Sequence, residues 1–181
     1  STRIVQYRVD RLGEVGASTC GHVLVLRDIT RREITDPLTG LPNRTLFLDR
    51  VGHALDKAAR RNRYRFAVLM LDLDHFKPVN DTYGHLVGDQ ALQIVGKRSL
   101  AIFRSVDIIG RYGGDEFAIL VSETDISEAA VLAERLTHTF SERLSALKDV
   151  SEKIKLRIGI EGFDGEKEEK IDKIFEKENK E

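Results

Sequence analysis

Two aspartates after an apolar run are the first residues whose types and spacing indicate chemistry. Asp72 and Asp74 come at the end of Phe66–Leu71, which is compact and apolar like a buried strand. Alternate side chains of a strand point to the same face, so the two carboxylates lie together. They repel each other unless a positive charge lies between them, and magnesium is usually held by one or two carboxylates and substrate phosphates. The pair therefore indicates a divalent-cation site, although a solvated strand end explains an isolated pair equally well.

A second pair of acids follows two glycines. Gly113 and Gly114 stand between β-forming residues, which predicts a tight hairpin turn with positive φ. Glycine has no side chain, so a substrate backbone or phosphate is able to approach such a turn closely. Asp115 and Glu116 come next in the chain. A bare hairpin explains this segment alone, but an acidic hairpin and an acidic strand end in one small domain favour a metal–nucleotide site.

The composition limits the partners of the chain. Of its 181 residues, 33% are charged and 41% are hydrophobic, and the formal net charge is −1. This balance gives no electrostatic drive toward a nucleic-acid polymer or an anionic membrane. No stretch approaches the roughly 20 apolar residues of a spanning helix, and the single cysteine, Cys20, excludes an intramolecular disulfide. We expect a cytoplasmic segment that contacts neither nucleic acid nor membrane; whether a longer parent protein is tethered to a membrane is left open.

Strand-like and helix-like segments alternate, which predicts a layered α/β or α+β domain with a central mixed sheet flanked by helices. Asn43 is a candidate helix N-cap, and Asp125 with Glu128 is a candidate capping box. The chain contains neither GxGxxG nor GxxxxGKS/T, so the two commonest phosphate-binding loops are excluded. The predicted elements are two strands within residues 1–30, a helix after Asn43, a strand at Phe66–Leu71, a helix from Gly88 to about Arg104, strands at Asp107–Arg111 and Glu116–Val121, a helix after Asp125, a strand at Ile154–Ile160 and a short helix in the tail beyond Gly162.

Several spaced motifs together resemble the GGDEF domain of diguanylate cyclases, over roughly Asp36 to Ile160. In chain order they are Asp36–Arg44 (DPLTGLPNR), Asp72–Lys77 (DLDHFK), Asn80–His85 (NDTYGH), Gly88-Asp89 and Gly113–Phe117 (GGDEF). The resemblance implies a fold similar to nucleotide cyclase catalytic cores and polymerase palms. The implied reaction joins two GTP molecules into cyclic di-GMP and releases two pyrophosphates. Because the product has two equivalent halves, we expect a homodimer in which each domain presents one GTP.

The resemblance also implies a metal and catalytic centre. Its cation is Mg²⁺ or Mn²⁺, which bridges phosphate oxygens and activates the attacking 3′-hydroxyl. The implied ligands are the carboxylates of Asp72 and Asp115 and the backbone carbonyl of Leu73, with Glu116 as a further ligand. By the same analogy, Asp115 helps to deprotonate the 3′-hydroxyl.

Further residues are implied to bind GTP. Asn80 and Asp89 match the positions that recognise guanine, although taken alone Asn80 reads as a turn residue and Asp89 as a helix N-cap. Lys77 is implied to hold the triphosphate, although a lysine at a sheet end is ordinarily just solvated. The other residues expected at the substrate are the backbone of His75 and Phe76, the pocket wall at His85, and the turn glycines Gly113 and Gly114.

Arg104 and Asp107 match an RxxD motif that lies upstream of the hairpin at the spacing of the family's product-inhibition site. The resemblance implies that cyclic di-GMP binds there as an inhibitor, with Arg135 completing the pocket from a neighbouring helix. An arginine grips guanine and phosphate well because its guanidinium is a planar fork. Without the resemblance, the pair would be a local ion pair of little energetic weight.

The chain departs from the family pattern at two places. The tail after Ile171 lacks the usual Ala-Lys pair, so that Lys177 or Lys180 is left as the substitute phosphate ligand, and Arg157 stands where the family usually has serine. A competing hypothesis is therefore a catalytically weak domain that acts as a cyclic di-GMP receptor through the RxxD site. A cyclase that makes a cyclic mononucleotide shares the fold but has no support from these motifs.

The segment before the GGDEF-like region is a separate hypothesis. Its strand-like end, Arg27–Thr30, resembles the last strand of a PAS sensor domain. We therefore divide the chain into residues 1–30 as the end of a PAS-like domain, 31–35 as a linker and 36–181 as the GGDEF domain. The input signal is not readable from so short a segment.

Overall fold

The computed structural model describes residues 5–12, 21–28, 34–60, 64–144 and 154–163, the first two ranges by their backbone alone. β1 (Val5–Leu12) and β2 (Gly21–Asp28) pair as a two-stranded antiparallel sheet, which confirms the two strands predicted within residues 1–30. The predicted tail helix, Lys177 and Lys180 lie outside the described residues. No helix in the described ranges is long and apolar enough to cross a membrane.

The main sheet has four strands in the order β4-β5-β3-β6, which confirms an α/β sheet domain. Its three ladders are all antiparallel, so the expectation of a mixed sheet is wrong. Within the described ranges, a parallel pairing occurs only as an isolated bridge between Asn43 and Arg111. β3 lies at the centre, so the strand that carries the two aspartates has a neighbour on each side. The strands are β3 (Phe66–Asp74), β4 (Ile108–Arg111), β5 (Phe117–Ser122) and β6 (Lys155–Phe163).

Two predicted helix starts have the expected capping contacts. The Leu46 N–H donates to Asn43 Oδ1 at 3.1 Å, and Asp125 and Glu128 each accept from the other's backbone N–H. These contacts satisfy donors that a helix leaves unpaired at its first turn. The helices are α1 (Arg44–Arg60), α2 (Phe76–Tyr83), α3 (His85–Ile102) and α4 (Ile126–Leu144).

The short helix α2 was not predicted, and α3 begins three residues before Gly88. Pro78 reads as a helix breaker, but it is the third residue of α2, where its missing N–H has no partner to lose. Gly84 separates the two helices with a φ of 84°, a backbone conformation that glycine adopts at little cost.

The two faces of β3 pack in two different clusters. Its odd-numbered residues, such as Leu69 and Leu71, join the cluster that α3 and α4 cover, while Phe66, Val68 and Met70 join the cluster under α1. Asp72 and Asp74 therefore continue the α1 face of the strand.

The same face continues onto β6. Phe163 stacks on Phe66 with ring centroids 4.8 Å apart, and the register then places Arg157 opposite Asp72 and Lys155 opposite Asp74. Residues directly opposite in an antiparallel pair share a face. The sheet end thus carries two acids and two bases on one face.

Candidate functional site

The loop before α1 is folded around the carboxylate of Asp36. Its Oδ1 accepts hydrogen bonds from the backbone N–H of Thr39 at 2.8 Å and from the Thr39 hydroxyl at 2.6 Å. Arg111 Nη1 donates to both carboxylate oxygens, at 3.2 and 3.0 Å, and each of the paired side chains is only 15% exposed. Burial alone would raise the pKa of Asp36, but the hydrogen bonds from Thr39 and the pairing with Arg111 outweigh it and lower the pKa.

Arg111 also holds the hairpin. Its Nε and Nη2 donate to the carbonyl of Gly114 at 3.2 and 2.6 Å. The hairpin is closed by the N–H groups of Tyr112 and Gly113, which donate to the Glu116 carbonyl at 2.8 and 3.2 Å. One guanidinium therefore connects the Asp36 loop to the turn that carries the acidic residues.

The turn glycines are not in the conformation that the sequence predicts. Gly113 and Gly114 are absent from the described glycines with positive φ, which are Gly40 and Gly84. Five residues separate β4 from β5, and a loop of that length is most often built around a type I turn, whose φ angles are negative. A Cβ at position 113 would overlap Oε2 of Glu116, whose side chain lies over Gly113.

The structure brings Asp72 and Asp115 together. The ladder between β3 and β5 ends at Leu71 and Phe117, so the hairpin acids come just beyond it. Burial raises the pKa of Asp72, and the negative charges of Asp115 and Asp74 raise it further, against the opposing effect of Arg157. Two carboxylates that interact in this way favour a cation between them.

The cation site would consist of few protein ligands. Within the described ranges, no group of three or more His, Cys, Asp or Glu side chains is placed to hold a metal ion, and the Glu116 side chain lies over Gly113. The Leu73 side chain is buried in the core, and the ligand role of its backbone carbonyl stays a prediction. The paired carboxylates nevertheless fit Mg²⁺, which typically takes one or two carboxylates and completes its shell with water and substrate phosphates. The ligand role of Glu116 stays a prediction.

The predicted guanine residues lie on two consecutive helices. Asn80 is in the middle of α2 and Asp89 is the fifth residue of α3, so the turn and N-cap alternatives for them are wrong. Asn80 Oδ1 is buried without a hydrogen-bond partner in the described part of the chain. This oxygen fits there because residue 88 is glycine; a Cβ at that position would overlap it. A buried acceptor without a partner is rare and indicates a position where a ligand could donate.

The residues predicted to hold the triphosphate lie between β3 and α2. His75 has a φ of 62°, an uncommon value for a residue other than glycine, and it turns the chain directly from the strand into the helix. The first N–H groups of α2 are therefore presented beside Asp74, and such groups bind anions. Lys77 and His85 are exposed, while Phe76 packs partly against the core.

The RxxD pair has a structural role. Asp107 is buried, and its carboxylate accepts from the Ser122 N–H at 3.1 Å and from the Arg104 N–H at 2.8 Å. Arg104 Nη2 donates to the Ser122 carbonyl at 2.8 Å, so the pair fastens the segment after α3 to the end of β5. Arg135 is exposed on α4. From Ser122 to Phe117 the strand extends roughly 16 Å, which separates this pair from the hairpin.

A cleft of about 540 Å³ opens elsewhere, next to the Asp36–Arg111 ion pair. Its walls include Asn43, Arg44 and Tyr112, and Gly113 is the only predicted substrate residue among them. Arg44 lies over the Tyr112 ring at 4.8 Å from its centroid. Asp72, Asp115, Asn80 and Asp89 do not line this cleft.

Sequence reasoning missed two parts of the site. Nothing local marks Asp36 and Arg111 as partners, because 75 residues separate them. Arg157 was noted only as a departure, whereas its guanidinium pairs with Asp74. The alternation of β3 and β6 would have placed Arg157 on this face, had the register been known.

The fold is that of an α/β domain with acidic residues at the end of its central strand. The family described as "Diguanylate cyclase, GGDEF domain" matches residues 33–180, and the chain belongs to this family. The match does not extend to residues 1–30, whose resemblance to a PAS domain stays a prediction.

Named relatives agree with this membership. The chain is 47% identical over 116 residues to the bifunctional diguanylate cyclase/cyclic di-GMP phosphodiesterase MucR of Pseudomonas aeruginosa, covering 64% of this chain and 17% of that protein. It is 37% identical over 142 residues to the diguanylate cyclase DgcP of the same organism, covering 77% of this chain and 21% of that protein. The chain thus spans only a small part of the length of these relatives.

Among solved structures, one similar fold is the coiled coil and GGDEF domain of DgcB from Caulobacter crescentus in complex with c-di-GMP. Its TM-score is 0.73 at 28% sequence identity, with 83% of this chain and 79% of that chain covered.

We expect Asp72→Asn and Asp36→Asn to change thermal stability in opposite directions at pH 7. Because the pKa of Asp72 is raised, its ionised form destabilises the folded state at pH values above its ordinary pKa of 3.8. Asp72→Asn should therefore raise Tm at pH 7, and this gain should fade as the pH falls. Because the pKa of Asp36 is lowered, its ionised form stabilises the folded state at pH values above its ordinary pKa of 3.8. Asp36→Asn should therefore lower Tm at pH 7, and this loss should shrink as the pH falls. Melting curves from pH 3 to pH 8 in a chelator test this pair; shifts of the same sign at pH 7 would contradict it.

Proposed function

We propose that this domain is a diguanylate cyclase that condenses two GTP molecules into cyclic di-GMP and releases two pyrophosphates. The observation that carries the proposal is the register of β3 and β5, which ends at Leu71 and Phe117 and so brings the acids of the hairpin next to Asp72; the charge of Asp115 accordingly raises the pKa of Asp72. The names of MucR and DgcP support it.

The metal centre would be held by Asp72, Asp115 and the carbonyl of Leu73. Bound Mg²⁺ or Mn²⁺ supplies charge stabilisation at the α-phosphate and makes the 3′-hydroxyl easier to deprotonate. Asp115 is on the hairpin, whose turn is held by Arg111, so its carboxylate is positioned to accept the 3′-hydroxyl proton. Asp72 is the half-buried ligand at the centre of the sheet, where it would orient the α-phosphate.

The selection of guanine is assigned to Asn80 and Asp89. A carboxylate accepts from N1 and N2 of guanine, whereas adenine offers no such pair of donors to it. The unpartnered Oδ1 of Asn80 supports a polar ligand at this place. A site built around buried polar groups discriminates strongly, because the wrong base leaves those groups unpaired.

The triphosphate is assigned to the junction between β3 and α2, where His75 and Phe76 would bind it through their backbone and the exposed Lys77 through its side chain. The N-terminus of α2 carries a partial positive charge that favours an anion. The turn of Gly113 and Gly114 lies next to the same acids, with open space around the Gly114 Cα. His85, exposed at the start of α3, is assigned to the wall of the GTP-binding pocket.

A dimer follows from the symmetry of the product. The described residues of one domain provide one Asn80–Asp89 pair and one Asp72–Asp115 pair, whereas cyclic di-GMP contains two guanosines and two phosphodiester bonds. Two domains must therefore face each other, each presenting one GTP, and such an arrangement is a symmetric homodimer.

Product feedback is assigned to Arg104, Asp107 and Arg135. Arg104 is 57% exposed in its side chain and is held near Asp107 and Ser122, which presents its guanidinium in a fixed orientation. The separation from the hairpin along β5 lets product bind there without entering the reaction site.

The residues 1–30 would form the end of a PAS-like sensor domain, joined to the GGDEF domain through residues 31–35.

The second candidate function is a cyclic di-GMP receptor with weak or no synthesis. It is favoured by the placement of Glu116 over Gly113, away from a three-carboxylate site. The GGDEF domain of DgcB, which is similar in fold, was solved in complex with c-di-GMP, and a receptor would bind the same ligand.

Incubation of the protein with GTP and Mg²⁺, followed by chromatography of the products, tests the proposal directly. We expect cyclic di-GMP and pyrophosphate, and we expect Asp115→Ala to reduce synthesis by at least about 10²-fold because the cation loses a ligand. The initial rate should rise faster than linearly with dilute enzyme if two domains must meet. Glu142→Ala, an exposed position on α4, is the control and should synthesise normally.

Binding of cyclic di-GMP without synthesis by the unmodified protein would support the receptor instead. A cyclic mononucleotide product, or unchanged synthesis by Asp115→Ala, would refute the assigned reaction or its centre.

The guanine assignment predicts that Gly88→Ala weakens GTP binding. The new methyl group would overlap Asn80 Oδ1 and lie 3.0 Å from Phe76 Cζ, so Asn80 must move. We expect a loss of about tenfold or more in GTP affinity with little change for ATP, on the scale of a lost polar partner. Gly96→Ala is the matched control, because it lies in the same helix and its Cβ meets only the flexible end of Leu41 closely, at 3.2 Å. Equal losses for GTP and ATP would place the guanine elsewhere.

The feedback assignment predicts a difference between Arg104→Ala and Asp107→Ala. Both should lose inhibition by cyclic di-GMP, but Asp107→Ala should lower Tm more, because it removes a buried carboxylate that accepts from the backbone N–H groups of Ser122 and Arg104. Arg104→Ala is therefore the clean variant, with synthesis at low product concentration preserved. Inhibition curves and melting curves of the two variants are the measurement, and unchanged inhibition in Arg104→Ala would exclude the site.

A further inference from the structure

The charges around Asp72 are divided between its two neighbouring strands. On the β5 side the ladder ends at Phe117, so Glu116 and Asp115 come next to Asp72. On the β6 side the residue in register with Asp72 is Arg157, and the residue in register with Asp74 is Lys155. The half-buried carboxylate at the centre therefore has an acidic flank and a basic flank.

The basic flank is accessible to a ligand. The side chain of Arg157 is 68% exposed, and its Nη2 pairs with Oδ1 of Asp74, which is two residues further along β3 than its register partner Asp72. Lys155 is exposed as well. The guanidinium thus lies at the surface of the sheet end, directed along β3 toward α2.

A metal-bound nucleoside triphosphate is itself divided in charge. Its cation belongs on the acidic flank, and its terminal phosphates, which carry most of the negative charge, belong on the basic flank. An arginine binds phosphate with a planar fork of N–H donors. The side chain of Arg157 is 68% exposed and that of Asp74 is 20% exposed, so a ligand can reach the guanidinium from solvent, and a phosphate of higher charge than the Asp74 carboxylate can replace it as the partner.

We propose that Arg157 on β6, assisted by Lys155, binds the terminal phosphates of GTP and leaves Asp74 when the nucleotide arrives. Arg157 would thus fix the direction of the triphosphate across the sheet end, from the acids of the hairpin toward β6. This inference rests on the proposed function of the same site, but it concerns a strand that supplies none of the metal, guanine or feedback residues assigned above.

The test is equilibrium binding, which does not depend on turnover. The probes are the α,β-methylene analogue of GTP, which has no cleavable bond at the α-phosphate, and GMP, both in Mg²⁺. We expect Arg157→Ser to weaken binding of the triphosphate analogue about tenfold or more and to leave GMP binding unchanged. Arg157→Lys should lose less, and Lys155→Ser should show a smaller loss of the same kind.

The matched control is Arg65→Ser, which removes the same charge from an exposed position at the other end of β3, roughly 23 Å from Asp72 along the strand. It should bind both probes normally, and melting curves of all variants report whether the fold is kept. If Arg157→Ser is poorly folded, the comparison between Lys155→Ser and Arg65→Ser decides the proposal by the same criterion.

The outcomes separate this inference from the proposed function. Unchanged analogue binding in Arg157→Ser and Lys155→Ser, or parallel losses for the analogue and GMP, would overturn the inference even if the unmodified protein makes cyclic di-GMP. A selective loss of triphosphate binding would support it even if the unmodified protein makes no product, in which case the proposed reaction alone would fail.

Discussion

The position of the hairpin depends on an ion pair between two residues that are 75 positions apart, Asp36 and Arg111. One side of the guanidinium meets the carboxylate, and the other side holds the Gly114 carbonyl. Both side chains are mostly buried, where either charge without its partner would be costly. Asp115 follows Gly114 directly, so its approach to Asp72 is set by a contact that lies outside the site.

The antiparallel register determines the rest of the site. Because β3 is central, its final residues have the hairpin on one side and β6 on the other. The same face that packs under α1 at Phe66 and Phe163 becomes polar at the opposite end of the strands. One regular alternation therefore provides an apolar core and a charged surface without any change of geometry.

Local patterns in the sequence predicted what depends on near neighbours. The shared face of Asp72 and Asp74 and the cap at Asn43 follow from strand alternation and helix capping. The prediction of positive φ at Gly113 and Gly114 was wrong because the loop between β4 and β5 has five residues. Helix α2 was missed because Pro78 reads as a helix breaker, although the first turn of a helix tolerates proline. The Asp36–Arg111 pair and the position of Arg157 depend on strand register and on contacts between distant segments, which no local pattern contains.

The two residues of the RxxD pair differ in what their loss would cost the molecule. Asp107 joins the end of β5 to the segment after α3 with its buried carboxylate, whereas the Arg104 side chain is mostly exposed. Selection for folding alone therefore acts more strongly on the aspartate than on the arginine, whose side chain adds one exposed hydrogen bond to the Ser122 carbonyl. In comparisons among members of this family, retention of the arginine is thus more informative about the product control proposed above than retention of the aspartate.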